Sequence, residues 1–312
     1  MVRSRAMRRP LERRFSWSVS RDRLFRACPR AYWYRYYGSW GGWEADASPE
    51  VRELYVLKQL STRHQWVGAS VHAAIEQVLV ALRNGRPLSR DEACRQLTFR
   101  MRGAFDASRR GRYWREPKAG GLVEHEYRLP VSDEEWRSLH EGAVRALAAA
   151  FDLPIFDRLA RLGRDDWLAI ELRDAFEVDG VPVFCVPDLA FREEGRVVIV
   201  DWKTGAPEGP EAEAAVRFQL ACYGLYARAR LGAGPDTLRL GVAFLAVPEY
   251  RESTIDEAGL ADAEATLRAS IAAMRARMAD PAADLADVAD FPPIESGERC
   301  TVCPFRRPCR GA

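Results

Sequence analysis

At 312 residues the chain is long enough to bury a large core, as one big domain or two. Its net charge of +2 conceals a division: residues 1–37 hold eleven arginines against Glu12 and Asp22, a net of +9, and residues 299–312 add four arginines and no acid. Basic ends around an acidic middle point to a polyanionic partner. No apolar run is long enough to span a membrane, no GxxxxGK[ST] phosphate loop marks a nucleotide-driven motor, and the N-terminus lacks the apolar segment of a secretory signal. The expected location is the cytoplasm.

In chain order, residues 1–14 read as a flexible basic arm. A helix is expected over 17–37, capped near Ser18 or Ser20, followed by a loop through SWGGWEADASPE. Residues 62–83 form a helix with Val67, Val71, Ala74, Val78 and Leu82 on one stripe and Asn84-Gly85 at its stop. Helical patterns continue over 89–108 and 133–162. Strands are expected at 167–178, 181–192 and 196–203, then a helix over 211–231, a strand over 236–248, a helix over 257–279 and a Pro/Arg-rich cysteine tail. Strands and helices mixed in this order predict an α/β fold with a mixed central sheet flanked by helices.

The hairpin in the middle carries the chemistry. Glu194-Gly195 reads as a two-residue loop, which pairs Glu193 with Arg196 and sets Asp188 opposite Asp201. Directly opposed side chains lie about 5 Å apart, near enough to share a divalent cation. Strand alternation places Lys203 on the face of Asp201. The run Val197 to Val200 predicts a strand covered on both faces, so these charges emerge from a core. Composition adds weight: among 47 basic residues only Lys58, Lys118 and Lys203 are lysines. A compact ammonium kept beside a carboxylate, where arginine serves almost everywhere else, fits catalysis; Lys58 and Lys118 have no comparable setting. His72 lies just off the apolar stripe of its helix and is a candidate ligand or a packed core residue. Gln219 and Tyr223 share one helix face. Glu171 reads as an outer carboxylate or as simply exposed.

Seven cysteines are not expected to form disulfides in a reducing compartment. Cys94, Cys185 and Cys222 fall in periodic apolar segments and read as small buried hydrophobes. Cys300, Cys303 and Cys309 cluster in RCTVCPFRRPC, with Cys28 far upstream. Four thiolates can ligate zinc or an iron–sulfur cluster, and ligation here would tie the chain ends together.

Together these motifs resemble the PD-(D/E)XK nuclease superfamily, in particular its RecB-like branch with an iron–sulfur cluster, which includes CRISPR-associated exonucleases and the AddB nuclease domain. Pro187-Asp188 with Asp201-Trp202-Lys203 matches the name-giving motif, and Thr204-Gly205 extends it. His72 in GxxVHxxIE, the QxxxY pair Gln219 and Tyr223, and the one-plus-three cysteines Cys28, Cys300, Cys303 and Cys309 match the branch. Residues 86–160 have no matched signature. The resemblance implies a restriction-endonuclease-like core over 163–285. A basic arm and first cluster helix (1–40) and a helical region carrying His72 (41–162) would precede it, and a cysteine tail (286–312) would pack with 1–40. It also implies Mg²⁺ or Mn²⁺ held by His72, Asp188 and Asp201, with the Trp202 carbonyl as a further ligand. The catalytic set would be Asp188, Asp201, Lys203, Gln219 and Tyr223. A [4Fe-4S] cluster, or alternatively Zn²⁺, would sit on the four cysteines.

The expected activity is a metal-dependent deoxyribonuclease, an exonuclease preferring single-stranded DNA or DNA ends, serving repair, CRISPR adaptation or phage defence. The alternative is a non-catalytic DNA-binding scaffold subunit. A helicase or integrase is a candidate protein partner, because the chain has no motor of its own. The stretch YWYRYYGSWGGW interleaves aromatics with Arg35, some buried and some free to stack on unpaired bases.

Overall fold

The run Val197 to Val200 lies between two cores, as its lack of alternation implies. Val197 and Ile199 belong to one apolar cluster, and Val198, Val200 and Trp202 to another on the opposite face. The computed structural model describes residues 13–206 and 209–311. The helices are α1 (Val19–Ala27), α2 (Pro29–Trp33), α3 (Pro49–Leu57), α4 (Arg63–Arg83), α5 (Arg90–Arg109), α6 (Val123–Glu126), α7 (Asp133–Ala150), α8 (Pro154–Leu159), α9 (Pro210–Tyr226), α10 (Glu257–Arg275), α11 (Glu298–Thr301) and α12 (Arg306–Arg310). The strands are β1 (Leu60–Ser61), β2 (Gly121–Leu122), β3 (Trp167–Ile170), β4 (Asp174–Val178), β5 (Val181–Cys185), β6 (Leu189–Glu193), β7 (Arg196–Lys203), β8 (Leu238–Phe244) and β9 (Glu249–Ser253).

The main sheet runs β3-β6-β7-β8-β9, parallel at β7-β8 and antiparallel elsewhere. α9 makes the crossover from β7 to β8 and, with α10, covers one face. α4, α5, α7 and α8 cover the other. A third cluster joins α2, α3 and the tail through Tyr34, Leu57 and Phe305. No helix among the described residues is long and apolar enough to cross a membrane.

The predicted hairpin register holds. Glu194 and Gly195 both take positive φ (48° and 76°), as a type I′ turn requires, and Leu189 pairs with Val200. The other long strands do not hold. Residues 167–178 break at Glu171, which takes φ 47°, and 181–192 break around Pro187, which has no N–H for a ladder. β4 and β5 leave the main sheet as a separate hairpin. Proline also divides two expected helices. The 17–37 helix stops at Cys28, extended at φ −166° before Pro29, and the 133–162 helix stops before Pro154. The strand expected over 236–248 ends at Phe244, and β9 follows as an unforeseen edge strand. The loop expected through residue 50 ends earlier, where Ser48 caps α3. The basic arm lies mostly outside the described residues. Arg13 and Arg14 are described: Arg13 is bound to Asp284 and Arg14 to the Gly180 carbonyl.

Candidate active site

The breaks in the strands build the site. Where β3 ends, the Glu171 N–H donates to the Asp188 carbonyl at 3.1 Å, so the two acids leave the sheet side by side. The register brings Asp188 level with Asp201 at the end of β7, and the Trp202 N–H donates to Asp188 Oδ2 at 2.6 Å. α4, stapled at its start by a Thr62–Gln65 capping box, carries His72 to the same point. His72 Nδ1 lies 3.4 Å from Asp188 Oδ1 and 3.5 Å from Glu171 Oε1.

Asp201 is gripped from α9. Gln219 Nε2 donates to its Oδ1 at 2.8 Å, and the Tyr223 hydroxyl lies 3.2 Å from the same oxygen. Lys203 Nζ sits 2.7 Å from Oδ2 and donates to Gln219 Oε1 at 2.9 Å. Among the described residues the Lys203 ammonium is the partner that Oδ2 has. Both aspartates are buried, Asp188 at 6% exposure and Asp201 at 2%. Burial and the charge of Asp201 push the Asp188 carboxyl up to about 6 against the opposing pull of His72. Burial alone would lower His72, but Asp188 and Glu171 outweigh it and hold the imidazole up to about 10. Burial, then the charges of Asp201 and Asp188, raise the Tyr223 phenol well above its usual range, so it stays a neutral donor.

His72, Glu171 and Asp188 each offer a ligand atom, all within 4.8 Å of one another. Ligands around one octahedral ion at about 2.1 Å stand roughly 3 to 4.2 Å apart, so the trio fits Mg²⁺ or Mn²⁺ with little movement. The two carboxylates are the oxygen donors a hard divalent ion takes, and the imidazole is a borderline donor that suits Mn²⁺ better than Mg²⁺. Of the expected ligands, His72 and Asp188 are in this trio. Asp201 stands beside it, held by Lys203, Gln219 and Tyr223. Trp202 buries its ring against Phe156 on the far face, and its backbone N–H turns to Asp188. Glu171 is half-buried and faces His72, where the sequence left it an outer or exposed acid. A signal for it existed: Glu171 follows the apolar run WLAI as Asp201 follows VVIV.

The site opens into a cleft of about 1050 Å³ that also reaches Arg21, Arg35, Tyr36, Trp40 and Lys58 from the N-terminal segment. Lys58, read from sequence as having no special setting, lies on this wall. Of the aromatics in 32–43, Tyr32, Tyr34 and Tyr37 are buried, and Trp33, Tyr36, Trp40 and Trp43 are half-buried.

Cys28, Cys300, Cys303 and Cys309 line one small cavity between α2 and the tail, beside Arg30, Arg306 and Arg310. No three of their sulfurs lie within 4.8 Å of one another among the described residues. Burial, then the neighbouring thiols, push Cys303 up to about 11. The other three cysteines divide: Cys185 and Cys222 are buried, as expected, and Cys94 is half-buried.

A mixed sheet flanked by helices, with acids and a lysine at the ends of adjacent central strands, has the form of the restriction-endonuclease-like fold, a scaffold of metal-dependent phosphodiester hydrolysis. The chain belongs to the PD-(D/E)XK nuclease superfamily, whose family model matches residues 16–310. Membership implies nuclease activity, divalent metal and a DNA substrate. A search of the curated proteins finds no match.

Proposed function

We propose that the chain is a Mg²⁺- or Mn²⁺-dependent deoxyribonuclease that hydrolyses phosphodiester bonds at single-stranded DNA or DNA ends, as an exonuclease of the RecB-like branch. The observation that carries this reading is the completeness of the set. His72, Glu171 and Asp188 form an ion-sized trio, and Asp201 beside it is fixed by Lys203, Gln219 and Tyr223 at 2.7–3.2 Å. A scaffold without chemistry has no need of a buried acid pair held this tightly, since unpaired buried charge is costly. A bound divalent ion supplies an acidified water and offsets charge on the phosphate. His72, Glu171, Asp188 and Asp201 would hold it, with the Trp202 carbonyl as a further oxygen. The Lys203 ammonium is half-buried beside Asp201, placed to donate to the attacking water or to a phosphoryl oxygen as charge builds there. Gln219 and Tyr223 keep Asp201 aimed, and water attack at phosphorus expels one strand as an alcohol.

The four cysteines are assigned to a [4Fe-4S] cluster. Tetrahedral zinc at about 2.3 Å from sulfur needs thiolates roughly 3.8 Å apart. A [4Fe-4S] cluster holds its thiolates farther apart than zinc does, and the arginines that share the cavity with the four cysteines suit its negative charge. The cluster's role is structural, joining the two chain ends. The cytoplasm, with repair, CRISPR adaptation or phage defence as the setting and a helicase or integrase as partner, is the context this reading fits.

End-labelled DNA incubated with Mn²⁺ tests the activity. Cleavage by the wild type, lost in Asp188→Asn and Lys203→Ala, is expected. Equal cleavage by both variants would refute the reading. DNA binding without any cleavage would favour the scaffold.

A further inference from the structure

On the cleft wall facing the active site Arg13 is paired with Asp284, but Arg21, Arg35 and Lys58 are bound by no carboxylate among the described residues. Arg35 Nη1 donates to the Lys58 carbonyl at 2.8 Å, and Arg21 Nη1 to the Ser16 carbonyl at 2.9 Å. These are backbone acceptors, which leave the charge uncompensated. Among the described residues no carboxylate lies within ion-pair distance of Arg21, Arg35 or Lys58. The Lys58 ammonium rests 5.0 Å from the Tyr55 ring and 6.0 Å from that of Trp43, which hold it in place without neutralising it. Arg21 lies over the Tyr36 ring at 4.3 Å. Tyr36 and Trp40, both half-buried, line the same cleft as the metal trio.

Clustering half-buried cations without acids costs energy that an incoming anion would recover. Burial, and then the neighbouring Arg35 cation, push Lys58 down to about 8, the expected mark of that cost. The spacing of charge and ring along one wall suits a strand whose phosphates meet cations while its bases meet aromatic faces.

We propose that Arg35 and Lys58, assisted by Arg21, form a phosphate subsite for an unpaired nucleic-acid strand away from the scissile bond, with Trp40 as its stacking surface and the Tyr36 ring holding Arg21. This deepens the nuclease reading and rests on it for the direction of the strand, though the binding itself needs no chemistry. Arg35 and Lys58 are thus positioning residues, holding the strand so that one linkage lies over the trio.

The test is fluorescence anisotropy of a labelled oligo-dT of about twenty nucleotides, in EDTA, over a series of salt concentrations. The double variant Arg35→Gln/Lys58→Met deletes both charges; the methionine keeps the aliphatic packing against Tyr55 and Trp43, and equal melting temperatures certify the fold. Binding is expected to weaken roughly tenfold, with the slope of log K against log salt shallower by about 1.4, which is 0.7 for each lost phosphate contact. Arg95→Gln/Arg100→Gln on α5, away from the cleft, is expected to leave both values at those of the wild type. An unchanged slope in the cleft variant overturns the proposal, as does absence of oligo-dT binding by the wild type. Cleavage of the same oligonucleotide with Mn²⁺ reports separately on the hydrolytic reading, so either claim can fail alone.

Discussion

On the proposed reading, Lys203 is the side chain on which the chemistry would depend most. Its ammonium approaches both Asp201 and Gln219, a fit a planar guanidinium cannot reproduce. Lys203→Arg therefore retains the charge and is expected to lose at least about a hundredfold in kcat, with oligonucleotide binding in EDTA unchanged. Single-turnover cleavage with Mn²⁺ measures this, and a loss under about fivefold would show that charge alone suffices. His72 sets a pH dependence. Its folded pKa is raised to about 10 from 6.5, so its contribution to apo stability is fully present below about pH 6.5 and is lost as pH rises through about 10. Asp188 has the same sign at lower pH: raised to about 6 from 3.8, its contribution is present below about pH 4 and fades through about 6. Urea unfolding in EDTA between pH 6 and 10 is expected to show stability falling with pH, a fall that His72→Leu abolishes. These residues were legible as candidates because their types and order are chemical signals. Glu171 was less so, since its partner His72 is far off in the chain and only folding brings them together.

At the scale of elements, the hairpin and the strand breaks act in opposite ways. The Glu194-Gly195 turn needs two residues at positive φ, and Gly195 supplies one without strain. Gly195→Ala is expected to cost about 1–2 kcal/mol in urea unfolding without shifting the register, since Cβ gains no contact there but meets the steric penalty of φ 76°. Glu171 holds a left-handed conformation (φ 47°) that a glutamate adopts at a cost, one given back in function. Glu171→Gly is expected to keep or raise apo stability by up to about 1 kcal/mol while weakening Mn²⁺ binding; calorimetry in which affinity is retained would remove Glu171 from the metal trio. The hairpin was readable because turn chemistry is local. The break at Glu171 was read through as continuous strand, and Pro187 was read as a bulge within one strand, because alternation persists on both sides and only the pull of two different sheets separates them. Pro29 and Pro154 carried an audible stop signal that the longer helical periodicity overrode.

Across the whole molecule, the segment around α2 meets the C-terminal cysteine tail. The Tyr34 hydroxyl donates to the Pro308 carbonyl at 3.1 Å, Arg30 binds the Phe291 carbonyl at 2.7 Å, and Phe305 packs against Tyr34. Arg307 crosses to Glu53 and Glu126 at 2.6 and 2.9 Å. A cluster on Cys28, Cys300, Cys303 and Cys309 would close a loop spanning nearly the entire chain, which by analogy with disulfides stabilises by on the order of 5 kcal/mol. Anaerobically purified protein is expected to be brown and to contain about four irons. Cys300→Ser is expected to bleach it and lower the melting temperature; colourless protein with one zinc would reassign the site. The same closure would hold the cationic wall of Arg35 and Lys58 on the cleft it shares with the carboxylates, so cluster loss is expected to weaken oligonucleotide binding as well.

The chain's own order of residues determined the α/β class, the turn that registers β6 on β7, the burial of β7 on both faces, and the identities of the acids, lysine and cysteines. Each of these follows from period, turn stereochemistry or side-chain chemistry, which act over a few residues. The tertiary structure alone decided that Glu171 joins His72 and Asp188, that Asp201 beside them is gripped from α9, and that Lys58 faces the cleft. Those outcomes depend on segments tens to hundreds of residues apart packing on two sides of one sheet, and no local pattern encodes a distance between side chains that meet only when the core closes.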